Sequence, residues 1–265
     1  MWDGESGRES ERKIGLARAL SKLGYCSRSE AARLIRAGRV RLNRALRRDP
    51  EAPVRLGQDR IEVSGQAIED GPKIYLMMNK PRGLVTTASD EKGRETVYSI
   101  LSKTCEPLPW VAPVGRLDQA SEGLLLLTND SEWGARVAAP ATHLEKTYHV
   151  QIARRVDEAF LRRLVRGIET DGESLRAARC RLLRSGEKNC WLEIVLDEGK
   201  NRQIRRMLQT LGVEVLRLVR VAIGPLQLGT LAKGTFRRMT AEEKRAVDSQ
   251  MTKKPPRPRS HTKEI

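Results

Sequence analysis

Asp118 is the residue of this sequence most clearly placed to do chemistry. It lies in a turn two residues after Arg116 and shortly before an apolar run at 124–127. Four leucines in a row, bounded by a glycine and by Thr-Asn-Asp, predict a buried strand. A carboxylate fixed at the end of a core strand, beside a cation that keeps it ionised, is a candidate for catalysis. The alternative interpretation is a surface aspartate in a turn, and the rest of the chain decides between the two.

Three further segments carry groups that a reactive carboxylate could use. Residues 79–83 follow a predicted strand and form a turn with two cations, Lys80 and Arg82. A Glu-Lys-Thr-Tyr segment places Tyr148 on a strand. Residues 198–208 form a turn into a helix, which has a polar stripe next to its apolar stripe. The polar stripe consists of Arg202, Arg205, Arg206 and Gln209. A solvated helix face is the alternative interpretation of these arginines.

The net charge of the chain indicates a polyanionic partner. Lys and Arg number 50 against 34 Asp and Glu, which gives a formal charge of +16 over 265 residues. Because each phosphate neutralised by a cation releases counterions, such an excess favours nucleic acid over a merely solvated basic surface. Hydrophobic residues make up 39% of the chain, enough for the core of one large domain or two smaller ones. We therefore predict a globular protein that binds nucleic acid.

The cysteines and histidines predict neither a metal site nor disulfide bonds. Cys26, Cys105, Cys180 and Cys190 show no Cys-x-x-Cys spacing, and the three histidines do not cluster with them. Cys180 and Cys190 could face each other across a hairpin, but scattered cysteines in a chain of this size are typical of reduced intracellular thiols. No apolar stretch is long enough to span a membrane, and the first residues are polar. We expect a soluble, cytoplasmic protein.

Residues 13–63 predict a small module that binds phosphates. Leucines at helical spacing end at Gly24, and residues 27–30 form a capping box that begins a second helix. That helix ends at Gly38, and two short strands follow. Arginines are interleaved with the apolar positions throughout, which favours phosphate contacts. These arginines are Arg28, Arg33, Arg36, Arg39, Arg41 and Arg44.

This module resembles the alpha-L RNA-binding domain of small-subunit ribosomal protein four. The resemblance lies in Ser-Arg-Ser-Glu-Ala at 27–31 and in Ile-Arg-Ala-Gly-Arg-Val-Arg-Leu-Asn at 35–43. Related domains commonly have a glycine after that asparagine, where this chain has Arg44. The resemblance implies that the module binds RNA.

The rest of the chain predicts an α+β domain. Residues 64–72 are a polar link, and residues 73–245 contain strand-like and helical runs without regular alternation. The strand-like runs are 74–78, 147–152, 191–196 and 213–219, and the helical runs are 157–167 and 201–212. This pattern indicates a largely antiparallel mixed sheet with flanking helices. We expect a disordered leader over residues 1–12 and a disordered basic tail over 246–265.

The four segments around Asp118, taken together, resemble the motifs of the RsuA-type ribosomal RNA pseudouridine synthases. The motifs are Asn-Lys-Pro-x-Gly at 79–83, Gly-Arg-Leu-Asp-x-x-Ser-x-Gly-Leu-Leu-Leu-Leu-Thr at 115–128, Glu-Lys-Thr-Tyr at 145–148 and Glu-Gly-Lys-x-x-Gln-Ile-Arg-Arg-Met at 198–207. Each motif alone is weak, but all four in order behind an RNA-binding module are specific. The departures are small: Ser121 replaces a commoner Thr, and Ala139 a frequent His.

The resemblance implies a reaction and a role for each catalytic residue. The enzyme would detach uracil from its ribose, rotate the base and rejoin it through carbon five, with no cofactor. Asp118 would act as a nucleophile or as a base at the sugar. Arg205 would pair with Asp118 and hold it ionised and oriented. Tyr148 would stack on the uracil and relay a proton.

The resemblance also implies how the RNA is bound. A uridine in folded RNA must leave its stack to reach Asp118, at a cost of roughly a few kcal/mol, and Arg116 would fill the gap. The other residues of this domain expected to contact RNA are Lys80, Arg82, Lys200, Arg202 and Arg206. The partner would be ribosomal RNA, with 23S favoured over 16S, either free or in a ribosomal assembly intermediate. The enzyme would be a monomer.

Two other functions are compatible with parts of the sequence. One is a non-catalytic RNA-binding factor for ribosome assembly on the same fold, which would not need Asp118, Tyr148 and Arg205 together. The other is a base-removing glycosidase, which would use two carboxylates. Glu122 is close to Asp118 in sequence but, in a helix or turn, need not face it.

Overall fold

A computed structural model describes residues 13–88, 90–104 and 108–252, and its first domain ends at Ile68. The elements of this domain are β1 (Ile14–Gly15), α1 (Leu16–Lys22), α2 (Arg28–Arg36), β2 (Val40–Leu42), β3 (Ala45–Arg47), β4 (Pro53–Val54), β5 (Ile61–Val63) and β6 (Gln66–Ile68). Strands β3, β2, β5 and β6 form an antiparallel sheet in that order, and β1 pairs with β4. The predicted leader, residues 1–12, lies outside the described residues.

The two helices of the first domain begin and end close to where the sequence predicts. The Ser27 side chain accepts a hydrogen bond from the Glu30 backbone N–H (3.1 Å), as a capping residue does at the start of α2. Leu16, Leu20 and Ile35 are fully buried and belong to an apolar core made by this domain alone. The domain therefore has a core of its own beneath its arginine-rich surface.

This domain continues past its predicted end because a hairpin follows β5. Ser64 and Gly65 both have positive φ (50° and 85°), the backbone of a two-residue hairpin turn, and β6 pairs with β5. The predicted linker is therefore wrong for residues 64–68. Asn43 and Arg44 form a similar turn between β2 and β3 (φ 51° and 68°). Arginine here adopts the left-handed backbone that glycine adopts more easily.

The second domain is built on a nine-stranded sheet. In chain order, the first six elements of this domain are β7 (Tyr75–Lys80), α3 (Tyr98–Leu101), β8 (Ala112–Val114), β9 (Glu122–Thr128), α4 (Ser131–Ala138) and β10 (Lys146–Ile152). The later elements are α5 (Glu158–Arg166), β11 (Ile168–Thr170), β12 (Glu173–Leu175), β13 (Arg179–Ser185), β14 (Cys190–Leu196), α6 (Gln203–Thr210), β15 (Val215–Ile223), β16 (Leu226–Gln227), β17 (Phe236–Arg238) and α7 (Ala241–Thr252). A short 3₁₀ helix spans Pro140–Thr142.

The sheet is mixed and largely antiparallel, as predicted. Its main order is β13-β14-β10-β15-β9-β7-β17, with β16 added to β15 and β8 added to β9, while β11 and β12 form a separate hairpin. Only β9 and β15 pair in parallel among these described strands. The predicted α+β class is therefore confirmed.

Strand β9 links the Asp118 loop, defined as residues 115–121, to the centre of the sheet. Every residue of β9 is buried, as the run of leucines predicts. At the parallel pairing, Gly123 lies beside Arg220 with φ +101°, and a Cβ on it would be 2.2 Å from the Arg220 carbonyl oxygen. Only a glycine allows two backbones to approach so closely. This contact fixes the end of the loop against β15.

Helices cover different parts of this sheet. Helices α5 and α6 pack over β10, β14 and β15, whereas α4 and α7 pack near β7 and β9. Asp157 caps α5 by accepting a hydrogen bond from the Phe160 N–H (2.8 Å), as predicted. The predicted disordered tail is wrong for residues 246–252, because Val247 is fully buried and Asp248 accepts a hydrogen bond from Trp133. The rest of that tail lies outside the described residues.

Contacts at the end of α1 join the two domains. The Trp110 N–H donates a hydrogen bond to the Gly24 carbonyl oxygen (2.8 Å). Lys22 forms an ion pair with Glu132 at the start of α4. These contacts place the first domain against the end of the second domain that carries β8 and α4.

The cysteines in the described residues are free thiols, in agreement with the sequence. The predicted hairpin of β13 and β14 forms, but Cys180 is opposite Ile194 and Cys190 is opposite Ser185. Cys105 lies outside the described residues. Within the described ranges, the helices are all too short or too polar to cross a membrane.

Candidate active site

The Asp118 loop is fixed on both sides of Asp118 by the chain that follows β7. The Thr86 hydroxyl donates to the Leu117 carbonyl oxygen (2.8 Å). The Gly83 N–H donates to the Gln119 carbonyl oxygen (2.8 Å), and the Gln119 side chain donates back to the Gly83 carbonyl oxygen (3.0 Å). These bonds explain why the Asn-Lys-Pro-x-Gly motif accompanies the aspartate motif.

Lys80 holds the same loop from the interior of the protein. Its Nζ donates to the carbonyl oxygens of Pro81 (3.1 Å), Asp118 (3.1 Å) and Ser121 (2.9 Å). The residue is 0% exposed, so the prediction that Lys80 contacts RNA is wrong. Sequence reasoning placed Lys80 in an exposed turn, whereas β7 continues through it and directs its side chain into the protein. Lys80 is a structural cation that positions the Asp118 backbone.

Two arginines from the α6 segment face the Asp118 carboxylate. Arg202 Nη1 lies 3.4 Å from Asp118 Oδ2, and Arg205 Nε lies 3.9 Å from the same oxygen. Arg205 also donates through Nη2 to the Ala120 carbonyl oxygen (3.1 Å). The structure thus contains the expected Asp118–Arg205 ion pair. Arg202, which the sequence assigns to RNA binding, is a second partner of the carboxylate.

Gln203 anchors the start of α6 and so positions these arginines. It is buried, and its Nε2 donates to Glu198 Oε1 (2.7 Å) and to the Arg176 carbonyl oxygen (2.9 Å). Arg202 comes just before the helix with φ +48°, a left-handed backbone that costs about 1 kcal/mol in a non-glycine residue. The glutamate and glutamine of the last motif therefore hold the strained turn from which Arg202 reaches Asp118.

A cavity of about 190 Å³ opens beside Asp118. Tyr148 from β10 lines it together with the apolar side chains of Leu196, Ile204 and Leu218. The Asp118 side chain is 31% exposed, and it is the one carboxylate among the described residues that line the cavity. An apolar and aromatic wall with one acid at its edge suits a flat heterocyclic ring presented to a carboxylate.

Lys146 and Arg220 also line this cavity, and the sequence reasoning missed both. Burial lowers the pKa of Lys146, and the charge of Arg220 lowers it further while Asp197 opposes the shift. A signal for Arg220 exists in the sequence, because it shares a strand face with the buried Leu218 and Ala222. The predicted strand ends one residue earlier, at Val219, whereas β15 continues to Ile223 and includes Arg220.

Glu122 does not line the cavity. It lies in β9, where its side chain is 6% exposed and forms ion pairs with Arg217 and Lys233. These pairs lower the pKa of Glu122 although its burial opposes the shift. The described part of the cavity thus lacks the second carboxylate that a typical glycosidase would use.

The remaining predicted RNA contacts of this domain lie in different surroundings. Arg82 and Arg116 are exposed, and Arg116 lines the cavity with Asp118. Lys200 is exposed at the cavity, and its Nζ donates to the Ser174 carbonyl oxygen (3.2 Å).

Arg206 is not brought to Asp118. Its guanidinium forms ion pairs with Asp171 (3.1 Å) and Glu173 (2.7 Å), and it donates to the Thr170 carbonyl oxygen. These partners belong to the β11–β12 hairpin. Arg206 thus ties α6 to that hairpin instead of facing the cavity.

The arginines of the first domain keep the exposed positions that RNA binding requires. Arg33 pairs with Glu30 on α2, and Arg48 donates to the Arg36 carbonyl oxygen. The exposed members of the predicted set are Arg28, Arg33, Arg36, Arg39, Arg41 and Arg44. They form a basic surface on α2, on β2 and on the turns that flank β2.

The protonation state of Lys80 predicts how kcat depends on pH. Burial lowers the pKa of Lys80 to about 8, Arg220 adds to the shift, and Asp118 and Glu122 oppose it. Loss of the proton removes one of the three donors that hold the Asp118 loop. We therefore expect kcat to fall as the pH rises through about 8. Steady-state kinetics across the neutral and alkaline range would measure this decline.

Two controls separate this effect from unfolding and from Lys146. Above pH 8, folded Lys80 has lost a proton that the unfolded chain still keeps. The pKa of lysine in an unfolded chain is about 10.4. Lys80 therefore increases the free energy of unfolding as the pH rises toward that value. Unfolding monitored over the same range should therefore not follow the fall in kcat. Lys146→Arg removes a cavity lysine whose pKa burial also lowers, and it should keep the decline. A pH-independent kcat would contradict the role given to Lys80.

Comparison with known proteins identifies both domains. Residues 14–61 match the S4 domain model, and residues 74–210 match the RNA pseudouridylate synthase model. A crystal structure of a pseudouridylate synthase superposes with a TM-score of 0.61 and 29% identity, covering 88% of this chain and 99% of the other.

Relatives match over nearly their whole length. An RNA pseudouridine synthase of Rickettsia conorii is 37% identical over 224 residues, which is 84% of this chain and 94% of the relative. The ribosomal large subunit pseudouridine synthase B of Bacillus subtilis is 34% identical over 230 residues, 86% of this chain and 93% of the relative. The chain therefore belongs to the RNA pseudouridine synthase family of isomerases and carries an N-terminal S4 domain.

Proposed function

We propose that this enzyme isomerises a specific uridine of ribosomal RNA to pseudouridine. The observation that carries the proposal is the position of Asp118, faced by Arg202 and Arg205 at the edge of a cavity that Tyr148 also lines. It is the single acid of the described cavity wall, and a single carboxylate suffices for this isomerisation. The ribosomal target is supported by the Bacillus subtilis relative, whose name assigns it to the large subunit.

The proposed reaction exchanges one bond of the nucleoside for another. The C1′–N1 bond breaks, the ring turns and C5 bonds to C1′; in net terms, C5 loses a proton and N1 gains one. Asp118 either bonds to C1′ and is displaced when C5 bonds there, or removes a proton from the sugar and returns it in that later step. Arg202 and Arg205 hold its carboxylate at the cavity through charge-assisted contacts. Tyr148 stacks on the uracil and relays the proton that leaves C5.

Entry of the base requires that the uridine leave its stack. The cost of flipping, roughly a few kcal/mol, is offset by stacking on Tyr148 and by contacts to the RNA backbone. Arg116 is exposed two residues before Asp118, a position from which it fills the gap left by the base. Arg82 and Lys200, also exposed, bind neighbouring phosphates.

The arginine surface of the first domain docks the RNA in this proposal. Replacing Arg36, Arg39 and Arg41 together by glutamine should weaken RNA binding and reduce the salt slope of log Kd by about one per lost phosphate contact. The kcat at saturating RNA should not change, because these residues lie outside the catalytic domain. Binding titrations of the full chain at several salt concentrations measure the slope.

The matched control replaces the same three arginines by lysine, which keeps the charge and should keep the slope. An unchanged slope in the glutamine variant would mean that this surface does not dock the substrate. Removing residues 1–60 is a poorer test, because β5 and β6 belong to the first domain and would be left behind.

Within this proposal the substrate is 23S rather than 16S RNA. The relative named for the large ribosomal subunit supports this choice. The enzyme acts in the cytoplasm as a monomer during ribosome biogenesis, on free RNA or on an assembly intermediate.

Position-resolved mapping tests the proposed function. Transcripts of 16S and 23S RNA, and precursor particles, are treated with enzyme, then with a carbodiimide that marks pseudouridine and stops reverse transcriptase. We expect one new stop in 23S RNA with native enzyme and none with Asp118→Asn. A stop in 16S RNA would reassign the subunit, and no stop in any substrate would overturn the proposed function.

A further inference from the structure

Arg220 is a buried cation with an unused hydrogen-bond donor at the Asp118 cavity. The residue is 5% exposed, and its Nε donates to the Leu124 carbonyl oxygen (2.7 Å). Its Nη2 is also buried and has no hydrogen-bond partner among the described residues. Leaving a buried donor unpaired costs about 1–3 kcal/mol, and more for a charged group. Because Arg220 lines the cavity, a substrate bound there could supply the missing acceptor.

We propose that Arg220 donates a hydrogen bond to a carbonyl oxygen of the flipped uracil and is a further catalytic residue. The inference rests on the proposed function of Asp118. Arg220 lines the same cavity as Asp118 and Tyr148. It is also the cross-strand partner of Tyr148 in the pairing of β10 with β15. Because cross-strand partners share one face of a sheet, a ring stacked on Tyr148 lies on the side of the sheet that carries Arg220.

The chemistry of the ring explains why a cation suits this position. When the C1′–N1 bond breaks, its electron pair stays on the uracil, and the negative charge spreads over N1, O2 and O4. A fixed guanidinium in a water-poor site stabilises such charge more than water does. The charge disappears once C5 has bonded to C1′, its proton has left and N1 has taken up a proton. Arg220 thus stabilises the detached ring more than the bound substrate.

The surroundings of Arg220 favour an uncharged or anionic acceptor from the substrate. Its neighbours Lys80 and Lys146 are themselves cationic, and the charge of Arg220 lowers the pKa of both. The Asp118 carboxylate is already faced by Arg202 and Arg205. A carbonyl oxygen of the substrate therefore remains as the partner for Nη2.

Substitution of Arg220 gives the first test. We expect Arg220→Gln to lower kcat by about 10²-fold with little change in KM for the RNA, and Arg220→Lys to have a smaller effect. Arg217→Gln is the matched control, because Arg217 lies on the same strand but pairs with Glu122 outside the cavity. It should retain native kcat. Thermal unfolding of each variant checks that the fold is kept, and Arg220→Lys replaces Arg220→Gln if the latter does not fold.

Changing the substrate separates a contact with uracil from a structural role. The target uridine is replaced by its 2-thio or 4-thio analogue, because sulfur accepts hydrogen bonds more weakly than oxygen. If Arg220 contacts one of these oxygens, that analogue slows the native enzyme but slows Arg220→Gln no further. The inference would be overturned if the analogue and Arg220→Gln lowered the rate independently of each other, or if neither of them lowered it.

The outcomes distinguish this inference from the proposed function. If native enzyme modifies no ribosomal RNA, the proposed function fails. If native enzyme is active and Arg220→Gln is equally active, only the inference about Arg220 fails.

Discussion

Asp118→Ala is expected to lower the rate of isomerisation by at least about 10⁴-fold, because it removes the only carboxylate of the described cavity wall. Affinity for RNA should change little, since binding rests on the exposed arginines and lysines. Asp118→Asn, which keeps the shape of the side chain, should be as inactive as Asp118→Ala. Single-turnover rates and binding titrations on the same RNA separate the two effects.

Asp171 provides a matched control for this prediction. Its carboxylate pairs with an arginine of α6, as that of Asp118 does, but it lies on the β11–β12 hairpin outside the cavity. Asp171→Asn should therefore keep a nearly native rate. Retained turnover in Asp118→Asn would refute the assignment of Asp118, and an equal loss in Asp171→Asn would show that the effect comes from the α6 surroundings.

Gly123→Ala is expected to destabilise the second domain by about 4 kcal/mol or more. The added Cβ would lie 2.2 Å from the Arg220 carbonyl oxygen and 2.8 Å from its nitrogen, so β9 and β15 would have to separate. That separation would also displace Arg220 and the Asp118 loop. Urea unfolding measures the free energy of unfolding.

Gly83 allows the collision to be separated from backbone strain. It has the same φ as Gly123, +101°, but a Cβ on it would meet nothing within 4 Å. Gly83→Ala should therefore cost only the strain of a left-handed alanine, about 1–2 kcal/mol. Equal losses in the two variants would contradict the close approach of β9 and β15.

The parts of the fold that the sequence predicts well are set by local patterns. Four consecutive leucines indicate the buried strand β9, and Asp157 followed by a helical apolar stripe indicates α5. The hairpin after β5 and the end of α7 were missed for a different reason. Both are short polar segments that become ordered through pairing or through one buried residue, Val247, which local composition does not reveal.

In the candidate site, the helical spacing of the arginines does not predict where each side chain points. Helical periodicity places Arg202, Arg205 and Arg206 on one stripe, but Arg202 precedes the helix with a left-handed backbone. Its direction therefore does not follow the helical period, and it reaches Asp118. Arg206 lies within the helix and is held by acids of a hairpin distant in sequence. Long-range partners of this kind are fixed by tertiary packing.

The positions of Lys80 and Arg220, both on strands, are likewise not predicted from the local sequence. Both are charged residues on buried faces, where sequence reasoning expects apolar side chains. Lys80 is accommodated by three carbonyl oxygens, and Arg220 by one together with the open cavity. The burial of a charge is visible in the sequence only once the strand boundaries are known.

Release of tritium from uridine labelled at carbon five tests the central claim most directly, because that hydrogen leaves only when carbon five bonds to the ribose. Purified enzyme is incubated with labelled 16S and 23S transcripts, beside Asp118→Ala as the control. We predict release from the 23S transcript by native enzyme and none by the variant. Equal release by Asp118→Ala would contradict catalysis by Asp118, and no release from transcripts or precursor particles would contradict the proposed reaction.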